Sequence, residues 1–134
     1  MDYGSRTLGI SISDETKLIA SPIETIRYSN EEELFNKIDK YFNEYKIEKI
    51  VLGNPINLDG SISKRSEETF IFKEKLEDKY KVEVILEDER LTTIIANNVL
   101  IMNNERRNNR KKVVDKLASS IILQGYLDRI NGGR

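Results

Sequence analysis

Residues 47–61, Ile47-Glu48-Lys49-Ile50-Val51-Leu52-Gly53-Asn54-Pro55-Ile56-Asn57-Leu58-Asp59-Gly60-Ser61, decide the fold class. Ile47 and Ile50-Val51-Leu52-Gly53 make a short apolar run, the pattern of a strand covered on both faces. The stretch from Asn54 to Ser61 is rich in turn formers. A helical pattern follows from about Ser63 to Tyr80, with Phe70, Phe72, Leu76 and Tyr80 among its apolar positions. Val82-Glu83-Val84-Ile85-Leu86 then reads as a second strand. Strand, helix and strand in that order predict a parallel pair joined by a crossover helix.

Working outward, Leu8-Gly9-Ile10-Ser11-Ile12-Ser13 alternates apolar with small or polar residues, the period of a half-covered strand. Asp14-Glu15-Thr16 supplies a turn, and the segment from Leu18 to Ile26 returns as a second hairpin strand. Pro22 inside it predicts an edge or a bulge, because proline cannot donate to a ladder. Ser29 or Asn30 caps a helix opened by Glu31-Glu32-Glu33, with Leu34, Phe35, Ile38, Tyr41, Phe42 and Tyr45 as its stripe. Downstream, Thr92 or Thr93 opens a helix through Ile95, Val99 and Leu100. A basic loop over 105–112 follows, and a last helix runs from Val113 to Ile130. The expected architecture is a single α/β domain over residues 1–134. Its mixed sheet combines an antiparallel hairpin with parallel strands and carries helices on both faces. In such sheets ligands gather at the carboxyl ends of the parallel strands, which selects Gly53–Ser61 and Asp88–Thr93 as the rim.

Composition narrows the chemistry. The 134 residues are 38% hydrophobic and 34% charged, values of an ordinary globule. No apolar run approaches the ~20 residues that cross a bilayer, and Met1-Asp2-Tyr3-Gly4 is not a signal peptide; a cytoplasmic protein is expected. The chain has no cysteine and no histidine. Thiolate and imidazole nucleophiles and metal ligands are therefore excluded, which leaves carboxylates, hydroxyls, Lys, Arg and Tyr. Carboxylates as the ligands favour Mg²⁺ or Mn²⁺. Net charge is only −1, yet residues 105–112 hold five cations against one carboxylate. Such local polarity steers anionic partners.

Asp2, Asp59, Glu87-Asp88-Glu89 and Asp115 are the candidate acids. Asp88 and Glu89 end a strand just before a helix, where repelling carboxylates favour a divalent cation. The same pair equally suits capping of the helix at Thr92 and an ion pair with Arg90. Asp115 shares a helical face with Ala118, Ser119 and Ile122, small enough near the acid for close packing on the sheet. An acid in a first helical turn also suits the dipole alone. Asn57, Asp59, Gly60 and Ser61 are ordinary turn chemistry or donors to a phosphodiester backbone. Residues 105–112 are a solvated loop or a phosphate-contacting one.

Five segments run in one order. They are Asp2-Tyr3-Gly4-Ser5-Arg6 with Leu8–Asp14, Ile19–Ile26, Val51–Ser61, Asp88-Glu89-Arg90-Leu91-Thr92-Thr93, and Lys112–Ala118 with Ile121–Leu127. Together they resemble the YqgF/RuvX family, small bacterial nucleases of RNase H-like fold linked to pre-16S rRNA processing or Holliday-junction resolution. The resemblance implies an RNase H-like sheet and a site built from Asp2, Asp88 or Glu89, and Asp115. Side chains alternate along a strand, so Asp88 and Glu89 cannot both face it; Glu89 is preferred, giving Asp2, Glu89 and Asp115 as metal ligands. It implies two-metal hydrolysis with Mg²⁺ or Mn²⁺. Arg6, Arg90, Asn57, Ser61, Thr92, Lys111 and Lys112 are the implied nucleic-acid contacts. The implied partner is structured RNA, a pre-16S rRNA precursor trimmed at its 5′ end during ribosome biogenesis, bound by a monomer or weak homodimer. Branched DNA is the alternative substrate, and a non-catalytic RNA-binding relic of the fold is a third reading. In the family the first aspartate ends an apolar strand of several residues. Here only Met1 precedes Asp2, so a truncated first central strand is expected, with a start lying further upstream as the leading reading and deliberate truncation or degeneration as the others.

Overall fold

The computed structural model describes residues 1–57, 59–88 and 107–132, with side chains of the last segment from Leu117 onward. Among the described residues, five strands and three helices follow in order. They are β1 (Asp2–Tyr3), β2 (Thr7–Ser13), β3 (Ala20–Arg27), α1 (Glu31–Glu44), β4 (Lys49–Asn54), α2 (Lys64–Tyr80), β5 (Glu83–Asp88) and α3 (Arg107–Ile130). The antiparallel order is β1-β2-β3, and β4 and β5 pair in parallel. Two backbone hydrogen bonds join these parts. The Met1 amino group donates to the Val51 carbonyl at 2.6 Å, and Gly53 N–H donates to the Met1 carbonyl at 3.0 Å. Met1 thereby stands opposite Leu52 as a residue of a parallel strand would.

The pleat sorts the core into two layers. Ile50, Leu52 and Val84 pack with Leu34, Phe35, Ile38, Phe72 and Leu76 of α1 and α2. On the opposite face Val51 packs with Ile122, Tyr126 and Leu127 of α3, joined by Ile85. Burial of neighbouring residues on both faces is why β4 reads as a continuous apolar run. The expected mixed sheet with helices on both sides is therefore present.

Local signals account for the element ends. Asn30 caps α1 by accepting from Glu33 N–H, and Ser63 caps α2 by accepting from Ser66 N–H. Among the described residues β3 is an edge strand, and it is also irregular. Ser11 pairs with Pro22 while Ile10 pairs with Glu24, so Ile23 is the extra residue of a bulge. Pro22 thus delivers both outcomes expected of it. One expectation fails: the basic stretch is helical from Arg107, six residues before the predicted start at Val113. Arg and Lys are good helix formers, and residues 107–112 contain no Gly or Pro to stop the helix. The helix expected from Thr92 lies outside the described residues. No helix among the described residues is long and apolar enough to cross a membrane.

Asp14 organises the β2–β3 turn. Its carboxylate accepts from the Thr16 hydroxyl and from the Leu18 and Ile19 amides. The Thr16 bond first, then the two amides, hold its pKa down at about 2, below the ordinary 3.8. A depressed carboxylate stabilises the turn above its unfolded pKa and stops doing so as pH falls through the folded value. The amide-proton shifts of Leu18 and Ile19 should accordingly hold steady from neutrality down past pH 3.8 and move with a midpoint near 2. Asp14→Asn should abolish that titration.

Candidate active site

Asp2 lies in a cross-sheet row. It pairs with Gly9 on β2; Met1 stands opposite Leu52, so Asp2 is level with Gly53; and Gly53 pairs with Glu87 on β5. The row reads Gly9, Asp2, Gly53, Glu87. Asp2 faces α3: a Cβ built on Gly9, its cross-strand partner, would lie 3.4 Å from both Asp2 Cβ and Ser119 Cβ. Ser119 is itself buried and its hydroxyl shares a 2.6 Å hydrogen bond with Ser11. Glycine at position 9 therefore lets the helix approach the strand that carries the acid.

Asp115 stands four residues before Ser119 in the continuous helix α3, about one turn or 5–6 Å along the same face. From Ser119 toward Tyr126 the helix passes from the level of Asp2 to that of Val51. In the opposite direction it runs toward the carboxyl ends of β4 and β5. The fold thus brings the helical turn bearing Asp115 to the rim near Asp2.

The strand-end acids separate by face. Val84 and Leu86 belong to the α1/α2 layer and Ile85 to the α3 layer. Alternation therefore puts Glu87 on the Asp2 face and Asp88, which is exposed, on the opposite one. Glu87 is largely buried and meets Arg129 in a two-pronged contact, Nη1 to Oε1 at 3.1 Å and Nη2 to Oε2 at 2.7 Å. Glu89, Arg90 and Thr92 lie outside the described residues, as do the side chains of Asp115, Lys111 and Lys112, whose backbone is helical. Among the described residues no three acids converge closely enough to hold a metal ion. The donors on the Asp2 face are carboxylate and hydroxyl oxygens, the chemistry that suits Mg²⁺ or Mn²⁺.

The rest of the rim comes from two loops and a helix start. Asn57 Nδ2 donates to Ser61 Oγ, and Ser61 donates through both its amide and its hydroxyl to Asp59 Oδ1. Gly60 adopts φ 89°, a left-handed turn position. The donors of Asn57 and Ser61 are thus engaged within the turn. Arg6 is exposed in the β1–β2 connection, and its carbonyl accepts from Tyr28 N–H. Two features escaped the sequence reading. Arg65, in the first turn of α2, donates to the Tyr3 carbonyl at 3.0 Å and brings an exposed guanidinium beside β1. Its closeness to Asp-Gly-Ser was a signal that could have flagged it. Asn54, opposite Asp88, is buried with its Oδ1 accepting no hydrogen bond among the described residues. Glu87 was visible in its acidic cluster, but only strand pairing shows that it shares the row with Asp2.

A family model described as "RuvX: Holliday junction resolvase" matches residues 1–129. A Bacillus subtilis protein named "Putative pre-16S rRNA nuclease" is 44% identical over 133 residues, covering 98% of this chain and 96% of that protein. A Clostridium tetani protein of the same name is 42% identical over 130 residues, covering 97% of this chain and 94% of its own length.

The close helix–sheet approach makes a graded prediction at Gly9. Gly9→Ala should be tolerated, since its Cβ would meet ordinary 3.4 Å contacts. Gly9→Val adds methyls where Ser119 and Asp2 stand and should cost about 1–3 kcal/mol, measured by urea unfolding.

Proposed function

The chain belongs to the RuvX family, and from that premise we propose that it is a nuclease hydrolysing phosphodiester bonds in structured RNA. The proposed substrate is precursor 16S rRNA, trimmed at its 5′ end in the cytoplasm by a monomer or weak homodimer. The observation that carries this reading is the placement of Asp2 on the α3 face, level with Gly53 and beside Ser119, one helical turn from Asp115. Asp2, Glu89 and Asp115 are the proposed metal ligands. Strand alternation supports Glu89 over Asp88, because Asp88 ends β5 on the face away from Asp2. Mg²⁺ or Mn²⁺, if held by those three carboxylates, would supply Lewis-acid chemistry at the phosphodiester. That chemistry needs no imidazole base, in keeping with a chain that has no histidine.

The protein's own side chains orient the substrate. Arg6, exposed in the β1–β2 connection, and Arg65, exposed beside Tyr3, are suited to backbone phosphates; Arg90 and Thr92 are proposed for the same role. Lys111 and Lys112 lie in the first turns of α3 and add attraction that does not depend on base sequence. The family's description favours a second substrate, a four-way DNA junction, whose symmetric cleavage calls for paired copies.

The test is hydrolysis of a pre-16S fragment beside a four-way junction, with and without Mg²⁺. Loss of a shell residue around a metal already costs 10–100-fold, so Asp2→Asn or Asp115→Asn should each lower the rate by more than ~100-fold while circular dichroism is unchanged. Equal rates in wild type and Asp115→Asn would remove that acid from the site. Faster turnover of the junction would replace the RNA reading. Binding without cleavage would support a non-catalytic RNA-binding module. The basic helix start carries its own prediction: Lys111→Gln and Lys112→Gln should each flatten the dependence of log affinity on log salt by about 1.

A further inference from the structure

Between the start of α1 and the first half of α2, at the carboxyl end of β1, lies a cavity of about 250 Å³. Tyr3 and Tyr28 line it with half-buried side chains, and Leu34 and Phe72 supply buried apolar surface. Tyr3 is held by stacking on Phe72, 4.1 Å between ring centres, and the Tyr28 hydroxyl donates to the Gly4 carbonyl. Both tyrosines are therefore fixed before anything binds. Tyr3 follows Asp2 in the chain and packs on the α1/α2 side, so the cavity adjoins the candidate acid on the other face of β1.

Charge decides what the cavity accepts. Its lining holds Glu31, Glu68 and Lys75; Lys75 is matched by Glu31 at 2.7 Å, so Glu68 leaves one negative charge in excess. Burial first, then Tyr3 and the Glu68 charge, push the Tyr28 phenol up, so Glu68 acts on the group that lines the cavity beside it. A phosphate is repelled there. A neutral planar ring bearing N–H donors is attracted instead, because a carboxylate accepts two hydrogen bonds side by side. The volume lies below the ~300–1,000 Å³ of sites for drug-sized molecules and suits a single ring system. One turn before Glu68 on α2, Arg65 carries an exposed guanidinium beside the Tyr3 carbonyl. A cation for a phosphate and an acceptor for a base thus stand one helical turn apart.

We propose that this cavity receives one unstacked nucleobase from a single-stranded stretch of the RNA, with Glu68 accepting from its pairing edge and Arg65 holding the adjoining phosphate. Guanine, whose ring N–H and amino group lie side by side, suits Glu68 best. Uracil, with one ring N–H between two carbonyls, suits it worst. The inference rests on the nuclease reading and adds a base preference to it.

The experiment titrates the full chain into two fluorescently labelled RNA pentamers, UUGUU and UUUUU, in Mg²⁺-free buffer so that binding is read by anisotropy without hydrolysis. UUGUU should bind about tenfold or more tighter than UUUUU. Glu68→Gln, at an exposed position where folding is undisturbed, should shrink that ratio to about threefold or less. Arg65→Gln should weaken both RNAs by the same factor and leave the ratio intact. The proposal is overturned if the two RNAs bind wild type alike, or if the guanine preference survives in Glu68→Gln. Guanine preference in a chain that hydrolyses neither the pre-16S fragment nor the junction would keep the cavity and overturn the nuclease reading; hydrolysis without the preference would do the reverse.

Discussion

Two hydrogen bonds at Met1 connect an antiparallel hairpin to a parallel pair, and the arrangement of this protein follows from them. A backbone hydrogen bond is worth only about 1 kcal/mol net, so their importance is geometric. They set β1 level with both neighbours, which puts Asp2 between Gly9 and Gly53 and in the same row as Glu87. Apart from that bridge, the two parts of the sheet are tied through the helices packed across them and through the exposed Lys17–Glu48 ion pair.

The same row explains why small residues gather there. Helix α3 crosses the sheet with Ser119 against Gly9, and the Ser11–Ser119 hydrogen bond ties the two at their closest point. Lower down, Ile122, Tyr126 and Leu127 make a conventional apolar contact with Val51. Around Ser119 the helix makes a close polar contact with the sheet, and from Ile122 to Leu127 the contact is apolar. Glu87 and Arg129 pin its last turn to β5, and Gln124 bonds the Ala20 amide and the Leu18 carbonyl of the hairpin. These contacts fix the angle at which the turn carrying Asp115 meets the rim.

Much of this was legible in the order of residues. The covered strand at Ile50–Leu52, the caps at Asn30 and Ser63, and the disturbance at Pro22 each rest on short-range chemistry: continuous burial, a side-chain acceptor for orphan amides, a missing donor. The basic run misled because charge suggested a loop, whereas Arg and Lys propagate a helix well. Glu87 and Arg65 were in plain view, but their value depends on pairing and on a contact with Tyr3, which lie far apart in sequence.

Sequence alone determined the class of fold, the restriction to oxygen ligands, and the candidate acids, because composition and periodicity act within a few residues of chain. Tertiary structure decided which acids share a face. That choice follows from strand register, where a shift of one residue turns every side chain to the other side of the sheet. Asp2 and Glu87 stand beneath α3 while Asp88 faces away: alternation along β5 divides the two strand-end acids, and the docking of Met1 against β4 brings Asp2 level with Glu87.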